Sequence, residues 1–203
     1  MDKCASVGLY ESLEFCKGQT VLPGIRQVVY FVPADQIVSF PTLPDTAAAD
    51  ADMGKIATYD GNFVLAADAK WRSLDVLTTA SNITSASQGD KPSKTFVNSS
   101  TLKHAGTSAK ATGFCRMANS DNLIYIVQQR DGQFRVLGND KFESNTNPSQ
   151  DSGMNVTDAS GTTLEVSVTD LCPAPFYVGT LLTEKGVLDC KTGKLVEEEK
   201  GGD

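Results

Sequence analysis

The sequence predicts a mainly β protein: an antiparallel β-sandwich or incomplete barrel with one short flanking α-helix and long loops. Short runs of β-branched and aromatic residues recur along the chain, and turn dipeptides such as Asp-Gly separate several of them. One segment, residues 108–119, spaces its apolar residues at helical intervals. A chain of 203 residues that is 40% hydrophobic can bury one such core. We therefore expect a single sandwich domain over residues 27–196.

The first part of the chain is weakly patterned. Residues 1–26 predict an N-terminal arm, with a short helix over residues 11–16. Residues 28–32 are β-branched and aromatic and predict the first strand, which should end at Pro33 because proline has no N–H for a ladder. A second short strand is expected over residues 37–40.

A hairpin is expected over residues 55–67. Asp60 and Gly61 supply the positive φ that a two-residue hairpin turn requires. Residues 71–77 predict a further strand, which begins at Trp71, the only tryptophan of the chain.

Three polar stretches predict loops. Residues 42–54 contain proline and an Ala/Asp run with little to bury, whereas residues 78–101 and 139–152 are long and rich in Ser, Thr and Asn. Loops of that length inside a compact domain are uncommon and often carry function. We expect the two long loops to be available for contacts with a partner.

The strongest local signal is a hairpin over residues 122–138. A two-residue turn at Asp131 and Gly132 would pair Val127 with Val136. The first arm is apolar on both faces instead of alternating, so both faces must be covered. The preceding helix can cover one face, and an opposing sheet or another subunit the other.

The last third of the chain predicts more antiparallel pairs. Residues 154–158 and 162–169 predict a hairpin whose second arm alternates cleanly. Another strand is expected over residues 176–182, and a last hairpin over residues 187–196. The charged segment 197–203 predicts a disordered acidic tail. In the alternating arm, the residues expected to face inward are Leu164, Val166 and Val168.

Charge and composition exclude several classes of protein. With 18 basic and 25 acidic residues the net charge is −7, which argues against sequence-specific nucleic-acid binding, because such binding depends on Lys and Arg at phosphates. No apolar run is long enough to span a bilayer, and the N-terminus lacks a signal-peptide pattern, so we expect a soluble cytoplasmic chain without a membrane partner. The five scattered cysteines predict reduced thiols.

Catalytic chemistry finds little support. His104 is the only histidine, and a Cys-His-Asp set would have to combine it with Cys115 and Asp121. Cys115 falls on the apolar face of the expected helix, where an inert buried thiol is the ordinary outcome. We therefore expect no enzyme and no cofactor.

Two further sets of residues could form a binding site or could have a purely structural role. They are the acidic residues Asp45, Asp50 and Asp52 and the aromatic residues Trp71, Tyr125 and Phe134. The acids lack the glycine turn and the distal glutamate of a calcium loop, so solvated acids are expected. The aromatic residues have no basic stripe beside them, which favours a core over a platform for stacking bases. No metal site is predicted.

Several segments together resemble the major tail tube proteins of tailed bacteriophages and bacterial prophages. The resemblance covers about half of the chain, and its motifs are structural. The segments are ATGFCRMAN (residues 111–119), NLIYIV (122–127), RDGQFRVLG (130–138), Ser152-Gly153, DASG (158–161), the strand at 163–168 and APFY (174–177), with support from LPGI (22–25).

This resemblance implies a β-sandwich or incomplete barrel whose subunits join through their sheets into rings, usually of six, that stack into a hollow tube for DNA. The implied partners are copies of the chain and other tail proteins, and the implied location is the virion tail after expression in the bacterial cytoplasm. The family has no catalytic residues to transfer. An acidic lumen would let DNA pass without sticking.

The apolar ribbon supplies the residues expected at the subunit contact. These are Leu123, Tyr125, Val127, Phe134 and Val136. The alternative function is a monomeric, non-enzymatic β-sandwich that binds a small ligand or a partner protein.

Overall fold

A computed structural model of the chain describes residues 9–196, whose strands form two stacked sheets and two smaller ones. The helix α1 spans Ala109–Ala118. The strands, in chain order, are β1 (Ile25–Pro33), β2 (Ile37–Ser39), β3 (Thr58–Tyr59), β4 (Val64–Leu65), β5 (Arg72–Asp75), β6 (Asn82–Gln88), β7 (Thr95–Ala105), β8 (Leu123–Gln129), β9 (Phe134–Leu137), β10 (Asn145–Asp151), β11 (Gly161–Asp170), β12 (Phe176–Tyr177), β13 (Thr180–Thr183), β14 (Gly186–Asp189) and β15 (Lys194–Val196).

The largest sheet, called the central sheet, has the strand order β3-β12-β9-β8-β1-β5. A second one, called the outer sheet, has the order β10-β11-β7-β6. The strands β13-β14-β15 and β2-β4 form the two small sheets. Neighbours pair antiparallel throughout, except for the parallel pair of β3 and β12. The predicted class, a mainly β antiparallel sandwich with one short helix, is confirmed.

One face of the central sheet packs against the outer sheet. From β8, Tyr125 and Val127 meet Leu164 and Val166 of β11, and all four side chains are buried. The helix closes one side of this layer, where the rings of Phe31 and Phe114 lie edge to face with centroids 5.0 Å apart.

The opposite face of the central sheet is covered by the small sheets and the segments that join them. Ile124 and Ile126 of β8 share this layer with Trp71. The ring of Phe63 lies between Trp71 and Tyr177, with centroid distances of 5.3 and 5.2 Å. Both faces of the apolar ribbon are therefore covered by the chain's own sheets, which decides between the two coverings left open by the sequence.

Most of the strongly patterned elements occur where the sequence places them. The expected strands at 28–32, 37–40 and 71–77 correspond to β1, β2 and a shorter β5. The hairpins at 122–138 and 187–196 are β8-β9 and β14-β15, and the alternating arm is β11, with its three expected inward residues buried. The helix begins after Ser108, whose hydroxyl accepts the N–H of Ala111 at 3.2 Å as a capping residue does.

The register of β8 and β9 differs from the predicted one by one residue. Ile126 pairs with Val136, so Val136 shares its face and not that of Val127. The turn has three residues instead of two: Gly132 alone has a positive φ, of 98°, and donates its N–H to Gln129 at 3.0 Å. A type I turn followed by a left-handed glycine produces this extra residue.

Two local predictions are wrong, the first because no packing partner supports it and the second because its strands pair with other segments. Residues 11–16 form no helix, and Leu13 and Phe15 lie exposed, so the segment has nothing against which an amphipathic face could pack. Residues 55–67 form no hairpin either: β3 pairs with β12, and β4 pairs with β2. The backbone of Asp60 instead exchanges hydrogen bonds with Thr42, which outweighs the local turn preference.

The two predicted long loops are largely strands. Residues 78–101 contain β6 and most of β7, and residues 139–152 contain β10. The sequence pattern predicts loops here because the outward side chains of these strands are hydroxyls and amides. Little alternation of apolar and polar residues is left in the sequence.

Two of the C-terminal predictions also need correction. Residues 154–158 form a turn, in which the Asp158 carboxylate accepts the N–H groups of Met154 and Asn155 at 3.0 and 2.7 Å. The strand expected at 176–182 is divided into β12 and β13, since the Tyr177 hydroxyl donates to the Thr180 carbonyl at 3.0 Å across the break.

The predicted arm is shorter than expected, because Ile25 and Arg26 already belong to β1. Residues 9–24 contain neither helix nor strand. The first eight residues of the predicted arm and the whole acidic tail, residues 197–203, lie outside the described part of the chain.

Because β8 is buried on both faces, shortening one of its side chains should leave a cavity in the core and destabilise the fold. Ile126→Ala is expected to lower the free energy of unfolding by about 2–5 kcal/mol. The measurement is urea denaturation followed by tryptophan fluorescence. Val38→Ala, at a side chain that is 70% exposed, should change it by less than about 0.5 kcal/mol. Equal small effects at both sites would contradict the two-sided core.

Candidate functional site

The five residues predicted to contact a second subunit lie inside the chain. Each of their side chains is at most 3% exposed. Three of them face the outer sheet and two face the small sheets, so they meet their own chain. They are Leu123, Tyr125, Val127, Phe134 and Val136. The chain's own strands cover these residues, and several of those strands are ones that the sequence showed only weakly.

Among the sheet edges of the described residues, that of β6 is the longest without a charged residue or a proline. β6 pairs with β7 on one side only, over seven residues from Asn82 to Gln88. It contains neither a charged residue nor a proline. Monomeric proteins usually protect such an edge with Lys, Pro, a bulge or a short strand, because its free N–H and C=O groups can pair with another chain.

The other edges differ in how they are protected. The far edge of the outer sheet is β10, which also has seven residues but carries Pro148, which has no N–H to donate to a further strand. In the central sheet, β3 has two residues and β5 has Arg72 and Asp75 at its ends. Short length and charge thus protect the central sheet, whereas both edges of the outer sheet are long.

The outward face of the outer sheet is nearly uniform in chemistry. By the register of its four strands, its members are Asn82, Thr84, Ala86, Gln88, Thr95, Val97, Ser99, Thr101, Lys103, Ala105, Asn145, Asn147, Ser149, Asp151, Gly161, Thr163, Glu165, Ser167 and Thr169. Most of them carry short hydroxyl or amide side chains. One cation and two carboxylates occur among them, so the face is close to neutral and lacks a basic stripe.

The three residues of the possible Cys-His-Asp set do not form a catalytic arrangement. His104 lies on β7, and its Nδ1 is 2.7 Å from the carbonyl oxygen of Asp75. Cys115 lies on α1, where burial raises the pKa of its thiol. Within residues 9–196 no hydrogen bond connects either of them to the other or to Asp121, which follows the helix. A nucleophile and base need such a contact.

Two of the three acidic residues, Asp50 and Asp52, lie beside a lysine. The Lys55 ammonium is 3.2 Å from Asp50 Oδ2 and 3.9 Å from Asp52 Oδ2, all at the surface. No group of three His, Cys, Asp or Glu side chains in the described residues is placed to hold a metal ion. The aromatic set also offers no platform for bases, since its members are at most 1% exposed.

A cavity of about 490 Å³, called the Asp170 cavity, lies where β11 ends. Asp45, Asp140 and Asp170 line it, together with Tyr59 and Lys141. Asp170 is only 4% exposed. Its Oδ1 accepts the N–H of Leu171 at 2.7 Å, but its buried Oδ2 has no hydrogen-bond partner in the described structure. Burial raises the pKa of the Asp170 carboxyl above its ordinary value, whereas the neighbouring donors of Leu171, Asn139 and Cys172 and the charge of Lys141 act in the opposite direction.

A larger cavity, of about 690 Å³, lies between the β8-β9 turn and the β14-β15 turn. Its charged lining residues are Arg26, Asp131 and Lys191. The Asp131 carboxylate accepts the N–H of Gln133 at 3.0 Å, which is the ordinary role of an aspartate in a turn. In the described residues no ion pair links these groups, so the cavity holds no acid–base pair.

Comparison with protein-family models, with curated proteins and with solved structures found no match. In the described part of the chain, no helix is both apolar and long enough to cross a bilayer. The function therefore has to be argued from the residues and the geometry of the chain itself.

The sequence did contain a signal for the strands of the outer sheet. Gly89 and Asp90 lie between two Ser/Thr-rich runs and begin the turn from β6 to β7, with Gly89 at a φ of 73°. In β7 the buried residues alternate as Asn98, Ser100 and Leu102. Two of these three are polar, so a search for apolar alternation misses the strand.

The buried Asp170 carboxyl should make stability fall as the pH rises. A raised folded-state pKa means that the folded state holds its proton longer than the unfolded state, so the free energy of unfolding decreases as the pH passes through that pKa. Relative to Asp170→Asn, the wild-type chain should be less stable at pH 7 than at pH 4. Urea denaturation of dilute protein at both pH values measures this difference. An increase with pH would instead indicate a well-paired carboxylate.

Proposed function

We propose that the chain is a structural subunit of a phage or prophage tail tube, which self-assembles through its outer sheet into stacked rings that form a conduit for DNA. The observation that carries this proposal is the β6 edge, seven residues long and without charge or proline. An edge of this kind pairs readily with a second strand. The resemblance to tail tube proteins supplies the type of assembly.

The strand directions of the outer sheet support head-to-tail pairing. Its neighbours are antiparallel throughout, in the order β10-β11-β7-β6, so β10 and β6 run in opposite directions. If the β10 of a second copy lies beside β6, the two strands are antiparallel and the sheet continues with the same alternation, with one ladder hydrogen bond missing at Pro148, which has no N–H. Repetition of one heterologous contact closes into a ring when the rotation between copies allows it.

The outward face of the outer sheet suits the wall of a DNA conduit. Short hydroxyl and amide side chains dominate it, and Lys103 is its single cation among the described residues. Nonspecific affinity for DNA comes from Lys and Arg that replace counterions at phosphates, and a face without a basic stripe offers little of it. The wall expected here is thus close to neutral, whereas the net acidic charge is located elsewhere on the chain.

The proposal is tested by the size and shape of the purified protein at high concentration. Light scattering should report particles several times the 21.6 kDa chain mass, and negative-stain microscopy should show rings or tubes. A uniform population of single chains under these conditions would contradict the proposal and favour the monomeric binding module.

A charge placed on the open edge should separate folding from assembly. Ser85 is an exposed residue of β6. By the strand register it lies on the inward face of the outer sheet, opposite the buried Asn98. Ser85→Lys is expected to abolish rings and leave a folded single chain, because an inward-pointing lysine on an edge strand cannot be covered by an added strand. Circular dichroism and light scattering measure the two properties. Ser120→Lys, at an exposed serine outside the sheets, is the matched control and should still assemble.

A further inference from the structure

The larger cavity, of about 690 Å³ and called the Arg26 cavity, presents positive charge on an acidic protein. Its charged lining residues are Arg26, Lys191 and Asp131. Arg26 and Lys191 are exposed, so a group from another chain can reach them, and neither forms an ion pair with a described residue. Carboxylates are the side chains that complement two such cations.

The carboxylates of the described chain near this cavity leave the two cations available. Asp131 accepts a backbone N–H of its own turn at 3.0 Å. Asp189 accepts the N–H of Lys191 at 2.8 Å and the hydroxyl of Thr192 at 2.9 Å. Each of these aspartates therefore stabilises a turn. Glu11 contacts the rim through its backbone N–H, and its carboxylate forms no ion pair in the described chain.

The hairpin of β14 and β15 connects the Arg26 cavity to the other end of the small sheet. Its turn, residues 190–193, forms one wall of the cavity. At its other end Val196 pairs with Val187, the second residue of β14. β15 thus runs away from the cavity, and the chain that follows Val196 leaves at the far end of the hairpin.

The strands of all three layers share these two ends. The far end of the hairpin lies by Trp71, which bridges to Thr183 and precedes β5, and β5 begins beside the first half of β8 across β1. The outer sheet follows the same direction: the Ser144 hydroxyl, before β10, accepts the N–H of Leu123 at 3.2 Å, and His104 near the end of β7 meets a carbonyl at the end of β5. The Arg26 cavity and Val196 therefore lie at opposite ends of the molecule along the strands.

An acidic segment follows β15 in the sequence. Residues 197–203, which lie outside the described residues, contain three consecutive glutamates, one aspartate and one lysine. Seven residues span at most about 23 Å when extended. Strands that pair side by side into a closed ring run along its axis with a tilt. Stacking of one copy on another along that axis places the end of one β14-β15 hairpin beneath the turn of the next.

We infer that the acidic segment 197–203 of one copy binds in the Arg26 cavity of the copy stacked on it, where its glutamates pair with Arg26 and Lys191. The contact rests on the proposed rings and specifies how they stack. A single exposed ion pair is weak, but this contact recurs once in every copy of a ring, so the ring binds as a multivalent unit. Because the two halves of the contact lie at opposite ends of the chain, it is heterologous and repeats from ring to ring.

Charge reversal tests the contact, because two variants that cannot stack alone should stack when mixed. One variant carries Arg26→Glu with Lys191→Glu, and the other carries Glu197→Lys, Glu198→Lys and Glu199→Lys. Both should form rings, since these positions lie outside the strands of the outer sheet, but like charges should prevent stacking. When the two kinds of ring are formed separately and then mixed, opposite charges meet and tubes should return. Negative-stain microscopy and sedimentation measure rings and tubes.

A matched control carries Lys110→Glu with Arg116→Glu, which reverses one exposed lysine and one exposed arginine on α1. It has the same net charge as the cavity variant and should still stack. Circular dichroism verifies that each variant folds. Loss of tubes in this control would show that stacking depends on net charge alone and would overturn the inference.

The remaining outcomes separate this inference from the proposed function. Tubes that persist in both reversed variants overturn it. Tubes that are lost and do not return on mixing also overturn it, because a pairing within one copy, or with Glu11, is not restored by a second variant. Wild-type rings that never stack overturn it and leave ring assembly standing. If the wild-type chain forms no rings, the tube proposal fails and this contact fails with it.

Discussion

The structure depends on the burial of β8 on both of its faces. Five consecutive side chains, from Leu123 to Val127, are at most 3% exposed, so a strand in the middle of the central sheet needs a layer on each side. The outer sheet forms one layer and the small sheets the other. Hydrogen bonds also join the layers. The hydroxyls of Tyr125 in β8 and Thr146 in the outer sheet, for example, lie 2.9 Å apart. Burial correspondingly raises the pKa of Tyr125.

This three-layer arrangement assigns different surfaces to different tasks. The central sheet has its faces covered and its edges shortened or charged, so it stabilises the chain and offers little to a partner. The outer sheet has one covered face, one polar face and two long edges. Of the two large sheets, the outer sheet is therefore the one with long free edges, and the apolar ribbon that dominates the sequence is buried inside the chain.

Buried polar side chains connect the two main sheets at the end where the Asp170 cavity lies. Asn98 of β7 donates to the Cys172 carbonyl at 3.0 Å and accepts the N–H of Ala174 at 2.8 Å. Asn139 donates to the Thr169 carbonyl at 2.9 Å. These bonds hold the chain where it passes from the outer to the central sheet. Two buried polar atoms at this end, Asp170 Oδ2 and Arg135 Nε, have no hydrogen-bond partner in the described structure.

The sequence alone determined the elements whose signals are local. The turn at Gly132, the cap at Ser108 and the alternation of Leu164, Val166 and Val168 each act within a few residues, so the hairpin β8-β9, the helix and β11 were predictable. The requirement that β8 be covered on both faces also followed from the residues themselves. What the sequence could not determine was which layer covers each face, since that depends on contacts between residues far apart in the chain.

Only the tertiary structure decided the pairing of the polar strands and the location of the open edge. Ser, Thr and Asn fit a loop and a solvated strand equally well by local preference, and β6 and β10 become strands because β7 and β11 present ladders for them. The same holds for Asp60, whose backbone pairs with Thr42 instead of closing a hairpin. The candidate site is built from these weakly patterned segments, and long-range hydrogen bonding, which leaves no periodicity in the sequence, is the reason it was missed.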